Sequence, residues 1–159
     1  MLEGKFEKKF YEMKMKTEYD IEKEVGKLRD QFNTDLRDYE RITTKDIIQI
    51  KREESWYTAS EKCIGYGAHL ASIHSRLENG FVSKLIPANE TVWIGVNDIQ
   101  KENVFKNPDG TAVDFLRWAQ HQPNNEEHNE NCVEVDHNGY WHDKLCIITR
   151  PFVCKKKIK

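Results

Sequence analysis

Between Gln122 and Asp143 the chain gathers Gln122, Asn124, Glu126, Glu127, Glu130, Asn131, Asp136 and Asp143 around Cys132, and closes on the triplet Trp141-His142-Asp143. Carboxylates and side-chain amides are hard oxygen donors, and such a dense group of them suits calcium, which takes six to eight oxygen ligands. Pro123 has a fixed φ and biases Gln122 toward extended backbone, so the amide oxygens of Gln122 and Asn124 are expected to hold a fixed relationship. An ion bound with positions to spare could hold the hydroxyls of a polyol. The same stretch carries His121, His128, His137 and His142, but it has no His-Glu-x-x-His spacing and no nucleophile beside a base, so enzyme activity is not expected.

Such a loop must be held by rigid elements on either side. Trp56, Ala59, Ser60 and Cys63 share one helical face, which predicts a first helix with Cys63 turned inward. Ser75 followed by Glu78 is a capping-box signal, and Phe81 with Leu85 continues an inward face, so a second helix is expected over 76–85, ended by Pro87. Residues 91–96 are rich in branched and aromatic types and read as a buried strand, as do 132–135 and 151–154. Trp93, Trp118 and Trp141 are expected in the core, and Gly139 and Asn107-Pro108-Asp109-Gly110 mark turns.

Taken in order, six blocks resemble the signature of a C-type lectin-like domain. They are Gly67-Ala68-His69-Leu70-Ala71-Ser72-Ile73-His74-Ser75, Trp93-Ile94-Gly95-Val96-Asn97-Asp98, Gln122-Pro123-Asn124, Cys132-Val133-Glu134, Trp141-His142-Asp143 and Pro151-Phe152-Val153-Cys154. The resemblance covers roughly residues 53–156 and implies an α+β fold of two small antiparallel sheets, two helices and a long calcium-binding loop. It also implies function: a calcium-dependent lectin, with a lectin-like domain that has lost sugar binding and recognises a protein as the alternative. In the family pattern the sugar-binding calcium is held at the positions of Gln122, Asn124, Glu130, His142 and Asp143. His142 stands where the family has asparagine and offers nitrogen to an ion that prefers oxygen, so calcium affinity is expected at the weak extracellular end, about 10⁻⁴ to 10⁻³ M or poorer. The second calcium site of the family maps to Asp98, Glu102, Asn125 and Asn131. Asn107 occupies a position where the family commonly has tryptophan. Gln122 and Asn124 present two amides, which do not discriminate mannose-like from galactose-like hydroxyl pairs.

Four cysteines allow three connectivities, which spacing alone does not rank. The resemblance implies Cys63 with Cys154 and Cys132 with Cys146, worth about 4 to 5 and about 3 kcal/mol respectively in the chain-entropy model. Stable disulfides belong to an oxidising compartment, so the protein is expected to be secreted or extracellular, with its targeting segment outside this chain. Asn89-Glu90-Thr91 is a glycosylation sequon and fits that expectation. The 159 residues are 38% hydrophobic and 33% charged with a formal net charge of −2, which gives no general affinity for nucleic acid, and no apolar run is long enough to span a membrane.

Residues 1–48 read as a helical neck, with the domain over 49–159 and a basic tail at its end. No proline occurs before Pro87, and Phe6, Phe10, Met13, Thr17, Ile21, Val25, Leu28, Phe32, Leu36 and Tyr39 recur at steps of three or four. The steps close eleven-residue units, about 3.67 residues per turn, which favours a straight or slightly right-handed bundle. Such a stripe needs burial, so a coiled-coil-like homo-oligomer is expected, weakened by Thr17 and by Gly26, the latter at about 1 kcal/mol.

Overall fold

A computed structural model describes residues 2–41 and 46–156, with the side chains of 4–37 and 46–156. Tyr39's side chain and the tail residues Lys157, Ile158 and Lys159 lie outside the described residues. The chain divides into an N-terminal helical unit and a domain.

Helix α1 (Leu2–Arg41) is continuous for 40 residues through both Thr17 and Gly26, a length of about 60 Å. Thr17 is accommodated because its hydroxyl bonds back to the Met13 carbonyl at 2.9 Å, leaving its methyl free for the stripe. The stripe itself is open in the single chain, with Phe6 77% and Leu28 69% exposed. The helix is described to Arg41, and Ile47–Glu54 is strand β1, so the expected helix does not reach 48. Ile47, Ile48 and Ile50 are β-branched, and they pair antiparallel with the last strand, which overrides helical periodicity there.

In the domain, α2 (Trp56–Gly65) starts at Ser55, whose hydroxyl accepts from Thr58 N, and buries Trp56, Ala59 and Cys63. After β2 (His69–Leu70), α3 (Arg76–Lys84) is capped by Ser75 in the same way. Glu78, the partner of that cap, accepts instead from His74 N at 2.7 Å and pairs with Lys155, fastening α3 to the end of the chain. The remaining strands are β3 (Thr91–Asn97), β4 (Cys132–Asp136), β5 (Trp141–Lys144) and β6 (Arg150–Lys155).

The two antiparallel groups implied by the resemblance, β1-β6-β2 and β3-β4-β5, are fused into one mixed sheet by the parallel contact of Trp93 with Phe152. Its two faces carry separate cores. Val92, Ile94, Val96, Val133, Val135 and Trp141 pack with Val82 of α3 on one face, while Trp93, Cys132 and Phe152 pack with Trp56, Ala59 and Cys63 of α2 on the other. Cys63 is bonded to Cys154 and Cys132 to Cys146, as the resemblance implied. Trp93 and Trp141 are fully buried and Trp118 is partly buried.

Asp109 fastens the 107–111 turn to the segment after β2. Its carboxylate accepts from Ser72 Oγ and Thr111 Oγ1, each at 2.6 Å, and from Thr111 N at 3.0 Å. Burial pushes this carboxyl up, but the bonds from Ser72 and Thr111, helped by nearby His74, outweigh it and hold the group below its ordinary value. Asp109→Asn should therefore cost roughly 2 kcal/mol at neutral pH, read as a lower urea midpoint. A depressed carboxyl stabilises the fold above its unfolded pKa of about 3.9 and stops doing so as pH falls through the folded value. The gap between parent and variant should stay constant from about pH 5 to 7 and close below about pH 4.

Candidate calcium and carbohydrate site

The connection between β3 and β4 carries nearly every expected ligand, and its middle is held by aromatic packing. Trp118 meets Trp141 edge to face at 6.0 Å and Phe105 at 5.0 Å. Trp141 N donates to Arg117 O at 2.8 Å and Ala119 N to Trp141 O at 2.9 Å, so this stretch runs beside β5 like an added strand. That brings Gln122 to the end of β5, where Asp143 N donates to Gln122 Oε1 at 3.3 Å. The Gln122–Pro123 bond is cis.

Asp143, 1% exposed, organises the loop. Its Oδ1 accepts from Asn124 N at 3.1 Å and its Oδ2 from Asn125 N at 2.7 Å. Asn125 Oδ1 accepts from Glu130 N at 3.0 Å, and buried Glu130 takes Glu126 N at 3.1 Å on Oε2 and Lys144 Nζ at 3.4 Å on Oε1. Gln122, Asn124, Asn125, Glu130 and Asp143 thus form one connected network. The side chain of Asn124 is exposed, as are Glu126 and Glu127.

Asp98 follows directly on β3 and is 2% exposed. Its Oδ2 accepts from Asn103 N at 2.8 Å, while its buried Oδ1 has no partner. Glu102 lies nearby at the surface. Crowding by protein atoms, then the negative charges of Asp98 and Asp143, push its carboxyl above the ordinary range, with His128 pulling weakly the other way. Asn131 joins through its main chain, its carbonyl accepting from Asp98 N at 3.1 Å.

His142 is turned away from this group. Successive residues of a strand point to opposite faces, so His142 follows Glu134 across the ladder and Asp143 follows Val133. His142 Nε2 stands 3.0 Å from Asp136 Oδ2. Burial raises the Asp136 carboxyl, but His142 and the amides of Tyr140 and Asn138 outweigh it and hold it low. Asn107 is buried where the family commonly has tryptophan. Its amide bonds Thr111 and Ala112 O, and its Oδ1 has no partner.

Two features went unread in the sequence. Lys144 reaches Glu130, which the register of Cys132 opposite Lys144 accounts for, since Glu130 precedes Cys132 by two. His121, Asn125, Glu127 and His128 all adopt left-handed backbone, a cost of order 1 kcal/mol or more each that clusters at ligand clamps and leaves no composition signal. Asn89 also has positive φ, in an exposed turn before β3 beside a cleft of about 620 Å³ lined by Thr91, Glu134 and Arg150 among others.

Among the described residues, no three histidine, cysteine or carboxylate side chains form a ready cage for an ion. The donor set still fits a hard cation. Its donors are oxygens, one of them is buried without a partner on Asp98, and the Glu102 carboxyl feels the negative charges of both Asp98 and Asp143.

Residues 52–156 match the family model of the lectin C-type domain. The chain is 36% identical over 108 residues to the galactose-specific lectin nattectin of Thalassophryne nattereri, spanning 65% of this chain and 68% of that protein. The human scavenger receptor C-type lectin carbohydrate-recognition domain superposes with a TM-score of 0.68 at 30% identity, covering 74% of this chain and 95% of that one. A calcium-independent type II antifreeze protein does so with a TM-score of 0.64 at 27% identity, covering 69% and 84%. With its mixed sheet, two disulfides and matched blocks, the chain belongs to the C-type lectin domain family.

Proposed function

We propose that the chain is a calcium-dependent carbohydrate-binding lectin whose weak single sites act together through α1. The observation that carries this reading is the buried, unpartnered Asp98 Oδ1 beside Glu102, whose carboxyl is raised by the charges of Asp98 and Asp143. Gathered carboxylates repel unless a cation joins them. Calcium, when bound, supplies open coordination positions for paired sugar hydroxyls. Asp98 and Glu102, with Asn125 and Asn131, would hold one ion. Gln122, Asn124, Glu130 and Asp143 would hold the ion that meets the sugar, with His142 occupied by Asp136.

In the sugar site, Glu130 and Asp143 accept hydrogen bonds from hydroxyls, and the amides of Gln122 and Asn124 keep their N–H donors free when their oxygens bind metal. Two amides give no asymmetry between mannose-like and galactose-like pairs, so a glycan array with and without calcium is the experiment that finds the sugar. The disulfides and the Asn89 sequon favour a secreted or extracellular glycoprotein. A second reading, a protein-recognising domain without sugar binding, is favoured by the Lys144–Glu130 pair, which holds the loop with no ion. On that reading the array stays blank and chelator leaves partner binding unchanged.

A ligand selective for the folded state stabilises it by mass action, so about 5 mM calcium should raise the melting temperature by a few degrees over chelator. Asp98→Asn should remove part of that rise, and identical melts for parent protein in both buffers would end the calcium reading.

The exposed stripe of α1 should make the full chain a homo-oligomer by light scattering at tens of micromolar, since an apolar face of this length needs a partner. Joining sites this way can raise avidity by about 10² to 10⁴. Ile21→Glu combined with Leu28→Glu should return the chain to monomer. A monomeric parent would refute the neck as an assembly device.

A further inference from the structure

We propose that Lys144 is a tethered cation that stands in for calcium on Glu130, so that metal must displace it to bind the sugar site. This rests on the calcium reading above and concerns what sets the affinity of that site. Lys144 follows Asp143 on β5 but points to the opposite face, across the ladder from Cys132. Its ammonium reaches Glu130 Oε1 at 3.4 Å. Glu130 is nearly buried, at 6% side-chain exposure, and its other oxygen is taken by Glu126 N.

A carboxylate this deep needs a positive partner or the metal itself, because an unpaired buried charge is strongly unfavourable. Lys144 meets the need without metal, which accounts for a loop whose oxygens are already satisfied. It cannot do so once calcium arrives. An ammonium and a divalent ion at the same oxygen repel each other, and the Lys144 side chain, 27% exposed, has a flexible four-carbon stem that can carry its charge out to water. The bond to Glu130 is therefore lost when the ion is gained, and the apparent calcium affinity falls by that amount. Asp98 carries no such guard. Among the described residues its Oδ1 meets no donor, so the Asp98 cluster fills at lower calcium than the sugar site.

The test uses the full chain carrying Asp98→Asn, which leaves the sugar site as the one reporting, with Lys144→Met and Lys144→Arg added separately. Met keeps the stem and removes the charge; Arg keeps the charge. Calcium alone is titrated by calorimetry, and melts are run in chelator and in calcium. The Met variant should bind calcium about tenfold more tightly or better, and the Arg variant about as weakly as its background. The Met variant should also melt below its background in chelator and recover in calcium, a crossing that a general packing defect would not produce. A Met variant folded only in calcium gives the same result in stronger form. Equal calcium affinity with and without Lys144 overturns the tether and leaves the calcium reading intact. No calcium binding by any variant up to about 10 mM, beyond the weak extracellular range, overturns both. A Met variant folded in neither buffer would show that metal cannot replace the ammonium, and would also overturn the tether.

Discussion

Strand β3 is apolar on both faces, and its burial dictates where the other elements can lie. Val92, Ile94 and Val96 need one cover and Trp93 needs another, because side chains alternate along a strand. α3 and the long connection supply the first, and α2 with both disulfides supplies the second. Trp93 locks the arrangement by donating its indole N–H to Glu54 O and Ile148 O, from segments far apart in the chain. Gly95 allows the closest approach, since a Cβ there would sit 2.6 Å from Leu70 O and from the Pro108 ring, while Gly95 N donates to Ala71 O at 2.8 Å. Asp98 begins the candidate site one residue past the end of this rigid strand.

The loop beyond β3 is not waiting slack for an ion. Asp143 already binds two backbone amides, Asn125 receives Glu130 N, and Glu130 is shared between Glu126 N and Lys144. A metal binding at these oxygens would exchange one set of partners for another, so its affinity would reflect a difference between two satisfied states. Around Asp98 the balance differs, because one oxygen there has no partner and the neighbouring carboxylates carry like charge. The two halves of the candidate site meet at Asn125, whose N–H donates to Asp143 and whose side chain accepts from Glu130 N, yet they present opposite problems to a cation.

Much of this was legible in the chain. Motif order gave the domain, the two disulfide pairs and the identities of the clustered oxygen residues, because these depend on residue type at fixed spacing. The cap at Ser75 and the buried character of 91–96 followed from local chemistry. Strand β1 did not, since Ile47, Ile48 and Ile50 continue the apolar content of the helix before them and only pairing with β6 marks them as strand. The motif that puts His142 among the expected ligands carries no sign of its 3.0 Å approach to Asp136 across the β4–β5 hairpin. Lys144 went unread because its partner lies across a ladder rather than along the sequence, and the left-handed residues of the loop because glycine, the usual sign of such backbone, is absent from 121–128.

The turn at Asn89 stands at one end of β3 and Asp98 at the other, with seven strand residues between them, a span of at least about 20 Å. All four cysteines are consumed in disulfides, so no free thiol exists in the chain. A single cysteine introduced at Asn89 would be exposed and chemically unique. Maleimide coupling there would attach the domain to a bead, a fluorophore or a sensor surface with the length of the core strand between the linker and the candidate site.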